Sequence, residues 1–203
     1  MIFGTAIVAL LFRFNSIPQP YERYLVGNIV GLLWVPMLTI FFIMRDQADH
    51  YGFGLGDSKR VWLWVAALGV LVLIGEAIVA RRPAYQNYYP MYGRFGFDSP
   101  DGVPFNTFLY FQITYGMYLF CWEFFFRGYL LFGLARTVGF LAIFLQAVPF
   151  GIMHLGKPEF ALSFVGGIIL GALAYRARSF LPAFVLHWVA AIGMDVLVVS
   201  ARH

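Results

Sequence analysis

Long apolar runs alternate with short polar stretches along the whole chain. Backbone inside a lipid bilayer must satisfy its own hydrogen bonds, so each long apolar run is predicted to be a helix. A helix needs about 20 residues to cross the hydrocarbon core. The pattern predicts six spanning helices: Leu25–Met44, Val61–Ala80, Phe105–Ala135, Val138–Leu155, Phe160–Tyr175 and Phe180–Ala201. The expected fold class is therefore all-α, a polytopic transmembrane helical bundle.

The remaining segments predict the organisation around these spans. The shorter apolar run Ile2–Phe12 has no basic flank and no small-residue cleavage site, so we interpret it as a partial or interfacial helix rather than a signal peptide. Arg45–Arg60 and Arg81–Pro104 are predicted loops, and the tyrosine-rich second one is expected to be ordered at the membrane interface. A boundary near residue 104 separates an N-terminal region with two spans and polar loops, 1–104, from a motif-rich membrane core, 105–203.

Composition supports a lipid-solvated protein. Hydrophobic residues make up 61% of the 203 residues and charged residues only 12%, whereas soluble domains are about one quarter charged. We therefore expect a multi-pass integral protein of the cell membrane, in contact with lipid. The single cysteine, Cys121, excludes an intrachain disulfide and a cysteine-based metal cluster.

Two binding classes are excluded by sequence. The basic residues behind the net charge of +4 are scattered through short loops, as membrane anchors are, so we expect no nucleic-acid partner. The stretch from Gly151 to Lys157 matches the start of a phosphate-binding loop, but Pro158 follows where Ser or Thr is required, and a membrane helix precedes it instead of a strand. No nucleotide partner is expected.

The ionisable residues within the C-terminal predicted spans or at their ends are the candidate chemistry. A charge at the bilayer centre costs about 2.5–3.5 kcal/mol on insertion scales, so such residues are normally paired or functional. Glu123 and Arg127 are four apart, on one helix face and within reach of an ion pair. His154 ends the fourth predicted span, after the kink expected at Pro149. His187 lies in the last span, eight residues before Asp195.

A carboxylate and two histidines on three helices can activate water in two ways. The carboxylate can act as a general base while a histidine polarises a carbonyl group. Alternatively, Glu123, His154 and His187 can bind a zinc ion with an open fourth position. The sequence contains no HExxH motif, so the hypothesis of a zinc site depends on the types of ligand residues alone. A third interpretation makes these residues a structural polar core.

The residues carry a family resemblance. Three ordered motifs, Trp122-Glu-Phe-Phe-Phe-Arg127-Gly128, Phe150-Gly-Ile-Met-His154, and His187 in the last span, resemble those of the CPBP (Abi, CAAX-protease-like) intramembrane endopeptidases. The resemblance covers roughly residues 105–200. It implies a peptidase, glutamic or metal-dependent, acting on a membrane peptide or protein with a hydrophobic segment.

Two motif positions depart from the family pattern. Trp122 stands where the family has its first glutamate, and Ala191 where it has an asparagine. The resemblance implies that this glutamate and the second-motif histidine activate water, and that the third-motif pair stabilises the oxyanion. Glu159 and Asp195 are candidates to support the site in their place, and Phe150 of the second motif is a further supporting candidate.

Three functions follow from this pattern. The first expectation is an endopeptidase that cleaves a hydrophobic, lipidated or C-terminal-signal peptide. The alternative is a non-catalytic protein of the same fold with an immunity or binding role. A small transporter is a third possibility, although the absence of an evident internal repeat argues against it.

Overall fold

Every regular element in the described part of the chain is a helix. The computed structural model describes residues 2–15, 19–56, 59–98 and 102–202. The all-α membrane class is confirmed. The α-helical elements are α1 Ile2–Phe14, α2 Tyr21–Ile43, α3 Lys59–Val79, α4 Pro83–Tyr88, α5 Met91–Arg94, α6 Phe105–Glu123, α7 Leu131–Val138, α8 Ala142–Ile152, α9 Phe160–Ala177 and α10 Leu181–Ser200, with π-helical turns inside α2.

Five helical stretches within the described residues are long and apolar enough to cross a membrane, against six predicted. The difference lies between residues 105 and 152, where the third and fourth predicted spans form one uninterrupted run of helical residues. A π-helical segment, Phe124–Leu130, continues α6 into α7, and a 3₁₀ turn, Gly139–Leu141, joins α7 to α8. Gly139 has φ +58°, which breaks the α-helical path there, and α8 packs back against the π-helical segment.

Helix α3 lies at the edge of the bundle and shows why the apolar pattern predicts lipid contact. Its large apolar side chains are mostly exposed, and its main partner is α10. Leu73 of α3 lies against Gly193 of α10, where even a Cβ atom would stand 2.3 Å from it. Without a side chain on Gly193 the two helices approach closely, as small residues allow in membranes.

The π-helical segment Phe124–Leu130 forms the centre of the core, and all seven of its residues are buried. A Cβ added at Gly128 would stand 2.8 Å from the backbone oxygen of Tyr51, so the loop between α2 and α3 packs directly on it. Helices α8, α9 and α10 pack around this segment and α6. The segment therefore holds its residues at the meeting point of the C-terminal helices.

The loop predicted between residues 81 and 104 is folded onto the bundle, and its described part contains α4 and α5. Phe95 and Phe97 pack on Tyr21 of α2, with ring centroids 4.9 and 5.3 Å away. Both phenylalanines also contact Phe111 of α6. Residues 99–101 of this predicted loop, and 57–58 of the loop before α3, lie outside the described residues.

Candidate active site

Glu123 is the last residue of α6 and is completely buried. Its Oε1 atom accepts two hydrogen bonds, from Arg127 Nη1 at 3.0 Å and from His187 Nδ1 at 2.6 Å. The first bond comes from the next helical turn and the second from α10, far along the chain. One carboxylate oxygen therefore joins a local ion pair to a distant histidine.

Arg127 is also completely buried and is held on three sides. Its guanidinium carbon lies 3.9 Å from the ring centroid of Phe150, a close cation–π contact. Its Nη2 donates to the backbone oxygen of Gly167 at 3.4 Å. Gln146 Nε2 donates to that same oxygen at 2.8 Å. These contacts fix Arg127 against α8 and α9 as well as against Glu123.

Sequence reasoning did not single out Gln146, although it is fully buried beside the ion pair. The available signal was a lone amide in an otherwise apolar segment. A buried amide is expected to have a hydrogen-bond partner. Only the packing of α8 on α9 shows that the partner is the Gly167 oxygen, the same atom that Arg127 contacts.

His154 follows α8 and is 5% exposed. Its Nδ1 lies 2.8 Å from the backbone oxygen of Phe150. A carbonyl oxygen only accepts hydrogen bonds, so Nδ1 carries the proton and Nε2 of the neutral ring keeps a lone pair. Burial, reinforced by the charge of Lys157, lowers the pKa of His154 well below its usual range. The imidazole is thus neutral near pH 7.

His187 is the most accessible member of this group, with a side chain 19% exposed. Its Nδ1–H donates to the carboxylate of Glu123, which leaves Nε2 with the lone pair. The ring of Phe150 lies between the two histidines, with centroids 4.6 Å from His154 and 5.9 Å from His187. Phe150 therefore contacts both histidines, although no hydrogen bond within the described residues joins His154 to Glu123 or His187.

The zinc ligands expected from sequence are not gathered into one site among the described residues. No group of three or more His, Cys, Asp or Glu side chains in the described part of the chain is arranged to hold a metal ion. Glu123 Oε1 and both Nδ1 atoms form hydrogen bonds within the protein, whereas Glu123 Oε2 has no partner among the described residues. We therefore derive no chemical step through a metal.

The two supporting carboxylates predicted from sequence have other partners. Glu159 accepts a hydrogen bond from the Tyr89 hydroxyl at 2.8 Å. Asp195, 1% exposed, accepts from the Met91 backbone N–H at 2.6 Å and from Gln112 Nε2 at 3.0 Å. Both bind the folded loop between α3 and α6. Neither is hydrogen-bonded to Glu123, His154 or His187 among the described residues.

The two positions that depart from the family pattern, 122 and 191, have different surroundings in the structure. Trp122 is 4% exposed and packs edge-on against His154, with ring centroids 6.0 Å apart. It also contacts Phe126 and Phe150. Ala191 is partly buried against the core and offers no polar atom.

The fold and this site define a class of protein: a multi-pass helical membrane protein with a buried glutamate–arginine–histidine cluster between its C-terminal helices. Residues 104–192 match the family described as Type II CAAX prenyl endopeptidase Rce1-like. The resemblance drawn from the three motifs is thus confirmed. The comparisons with curated proteins and with solved structures each found no significant match.

Proposed function

We propose that the protein is an intramembrane endopeptidase that hydrolyses a peptide bond in or beside a hydrophobic segment. The observation that carries this proposal is the 2.6 Å hydrogen bond between buried Glu123 and partly exposed His187. The match of residues 104–192 to a family of prenyl endopeptidases supports the same activity class. The substrate class is a hydrophobic, lipidated or C-terminal-signal peptide, because such a segment can approach the site through the bilayer.

The Glu123–His187 pair has the arrangement of a general base. A carboxylate that accepts the Nδ1–H of a histidine fixes the tautomer and stabilises the imidazolium that forms when Nε2 takes a proton. In the proposed step, His187 Nε2 removes a proton from water while the water oxygen bonds to the scissile carbonyl carbon. The resulting tetrahedral intermediate then loses its C–N bond, and His187 returns the proton to the leaving amine. The products are a carboxylic acid and an amine.

His154 and Arg127 have supporting roles in this scheme. The neutral ring of His154 offers the Nε2 lone pair, which can accept a hydrogen bond from the attacking water and orient it. Arg127 does not reach the substrate in this scheme. It pairs with the Glu123 carboxylate and fixes it in position, because a buried charge needs a partner.

The test is a comparison of protein C-termini in cells that produce the wild-type protein, no protein, or one of two variants. Glu123→Gln keeps the side-chain shape but removes the charge, so it should abolish any cleavage that depends on the protein. Cleavage is compared per amount of folded protein, because this change also removes the counter-charge of buried Arg127. Glu159→Gln is the matched control, because Glu159 is bonded to Tyr89 rather than to a histidine of the site. It should retain cleavage.

Two outcomes would contradict the proposal. If Glu159→Gln stops cleavage and Glu123→Gln does not, the carboxylate that serves the base comes from the turn before α9. If no C-terminus depends on the protein, the non-catalytic alternative replaces the enzyme. The observation that favours this alternative is Trp122, which puts an aromatic ring where the family pattern has a glutamate.

A further inference from the structure

Trp122 carries an N–H group whose bonding the proposed mechanism leaves unexplained. Its Nε1 atom is buried and has no hydrogen-bond partner among the described residues. A buried donor without a partner is costly, and native structures seldom retain one without a reason. The indole of Trp188, in α10, has the partner that a buried N–H group normally has: its Nε1 donates to the backbone oxygen of Gln112 at 3.1 Å.

The position of Trp122 places this donor in the candidate site. The indole stands at 85° to the imidazole of His154, with ring centroids 6.0 Å apart, and it lies 6.1 Å from the Phe150 ring that both histidines contact. The site therefore has a base on the α10 side, at His187, and an unengaged N–H donor on the α6 side, at Trp122.

The proposed hydrolysis needs such a donor. When water bonds to the carbonyl carbon, negative charge develops on the carbonyl oxygen, and a prepared N–H group stabilises that charge. Position 191 cannot help, because alanine has no polar side-chain atom. Arg127 Nε is also buried without a partner among the described residues, but its guanidinium is covered by Phe150 and held by Glu123 and Gly167.

We infer that Trp122 is a further catalytic residue, whose indole N–H donates a hydrogen bond to the scissile carbonyl oxygen and to the oxyanion that forms from it. The inference rests on the proposed peptidase function. It also requires that an entering substrate separate the indole from the turn containing His154, because Nε1 is buried. No covalent bond to Trp122 forms or breaks in the reaction.

The first test is kinetic and uses a peptide that spans a cleavage site whose processing requires Glu123. Trp122→Phe keeps an aromatic ring and removes the N–H, so kcat should fall by about 100-fold or more while KM changes little. Trp188→Phe removes an indole N–H that is bonded to backbone, and it should leave kcat within a few-fold of wild type. Equal kcat values for Trp122→Phe and wild type would overturn the inference and leave the peptidase function intact.

The second test does not need cleavage. The probe is a farnesylated peptide aldehyde, whose hydrated carbonyl resembles the tetrahedral intermediate, added to protein labelled with ¹⁵N at its tryptophans. The indole signal that is absent from Trp122→Phe should move downfield when the probe binds, as a new hydrogen bond requires. An unmoved Trp122 signal at saturating probe would overturn the inference. By contrast, cleavage that survives in Glu123→Gln would refute the proposed function itself.

Discussion

Among the described residues, Arg127 is the largest that is completely buried, and its positive charge faces the carboxylate of Glu123. Replacing Arg127 by alanine would leave Glu123 buried without its main counter-charge. Breaking such a pair from one side costs about 3–5 kcal/mol. We therefore expect Arg127→Ala to lower the thermal unfolding midpoint in detergent micelles and the yield of folded protein, in addition to any loss of activity.

Arg136→Ala is the control for this prediction. Arg136 also forms an ion pair, with Asp46, but its side chain is 46% exposed. Exposed pairs contribute about 0–1 kcal/mol, so Arg136→Ala should unfold close to the wild-type temperature. If the two variants are equally stable, the Glu123–Arg127 pair is not the buried, tightly coupled pair that the structure shows.

At the residue scale, the spacing of residues along the sequence predicted contacts within one helix but not contacts between helices. The ion pair expected from the four-residue separation of Glu123 and Arg127 is present at 3.0 Å. The bond between Glu123 and His187 was not predicted, because it joins residues 64 positions apart and depends on how α10 packs against α6. The partners of Asp195 were not predicted for the same reason. They are the backbone N–H of Met91, in the loop between α3 and α6, and the side-chain amide of Gln112 in α6.

At the element scale, the pair Gly166 and Gly167 in α9 offers a sharp comparison. A Cβ atom at Gly167 would stand 3.0 Å from both Ala147 and Phe150 on α8, whereas one at Gly166 would meet nothing within 4 Å. Gly167→Val should force α8 and α9 apart and cost about 1–3 kcal/mol through overpacking. It should also reduce cleavage, because Gly167 supplies the backbone oxygen that Arg127 and Gln146 share.

Gly166→Val introduces the same side chain one position earlier in the same helix. It should change the free energy of unfolding by no more than about 0.5 kcal/mol, as an uncrowded surface substitution does. Thermal unfolding and cleavage assays on both variants check the pair of expectations. A Gly166 variant as damaged as the Gly167 variant would mean that helix propensity, and not contact with α8, determines the result.

The elements that sequence predicted well are those whose ends are marked by polar residues. The second span was predicted as Val61–Ala80 and is helical over Lys59–Val79. The two predicted spans between residues 105 and 155 were harder to separate, because apolar residues continue through the join at Gly139–Leu141. The turn there depends on the positive φ of Gly139, which a hydrophobic pattern does not encode.

At the scale of the whole molecule, Asp195 binds the loop between α3 and α6 to α10. Its carboxylate accepts hydrogen bonds from the Met91 backbone N–H and from the Gln112 side chain. Asp195→Ala would leave both donors buried and unpaired. Hydrogen bonds to charged groups contribute about 1.5–3 kcal/mol, so local opening should become at least about tenfold more frequent. Trypsin cleavage at the exposed Arg81, Arg82 and Arg94 should accelerate accordingly.

Asp195→Asn is the matched control for the proteolysis experiment. Its remaining oxygen can still accept from Met91, and Gln112 can rotate its amide so that its own oxygen, which is unpartnered within the described residues, faces the new amide group. Cleavage of the loop should therefore stay close to the wild-type rate. Equal rates for Asp195→Ala and wild type would show that aromatic packing alone holds the loop.

The placement of Glu123 and Arg127 within a single turn has a consequence for biogenesis. Each charge alone would oppose transfer of its helix from the translocon into lipid, by about 2.5–3.5 kcal/mol at the bilayer centre. Because the two partners leave the ribosome four residues apart and bond within one helix, the segment can enter the bilayer already neutralised, before α10 has been synthesised. The bond from His187 then forms last. The order of synthesis thus places the ion pair in the bilayer before the proposed base, so the proposed site stays incomplete until α10 is in place.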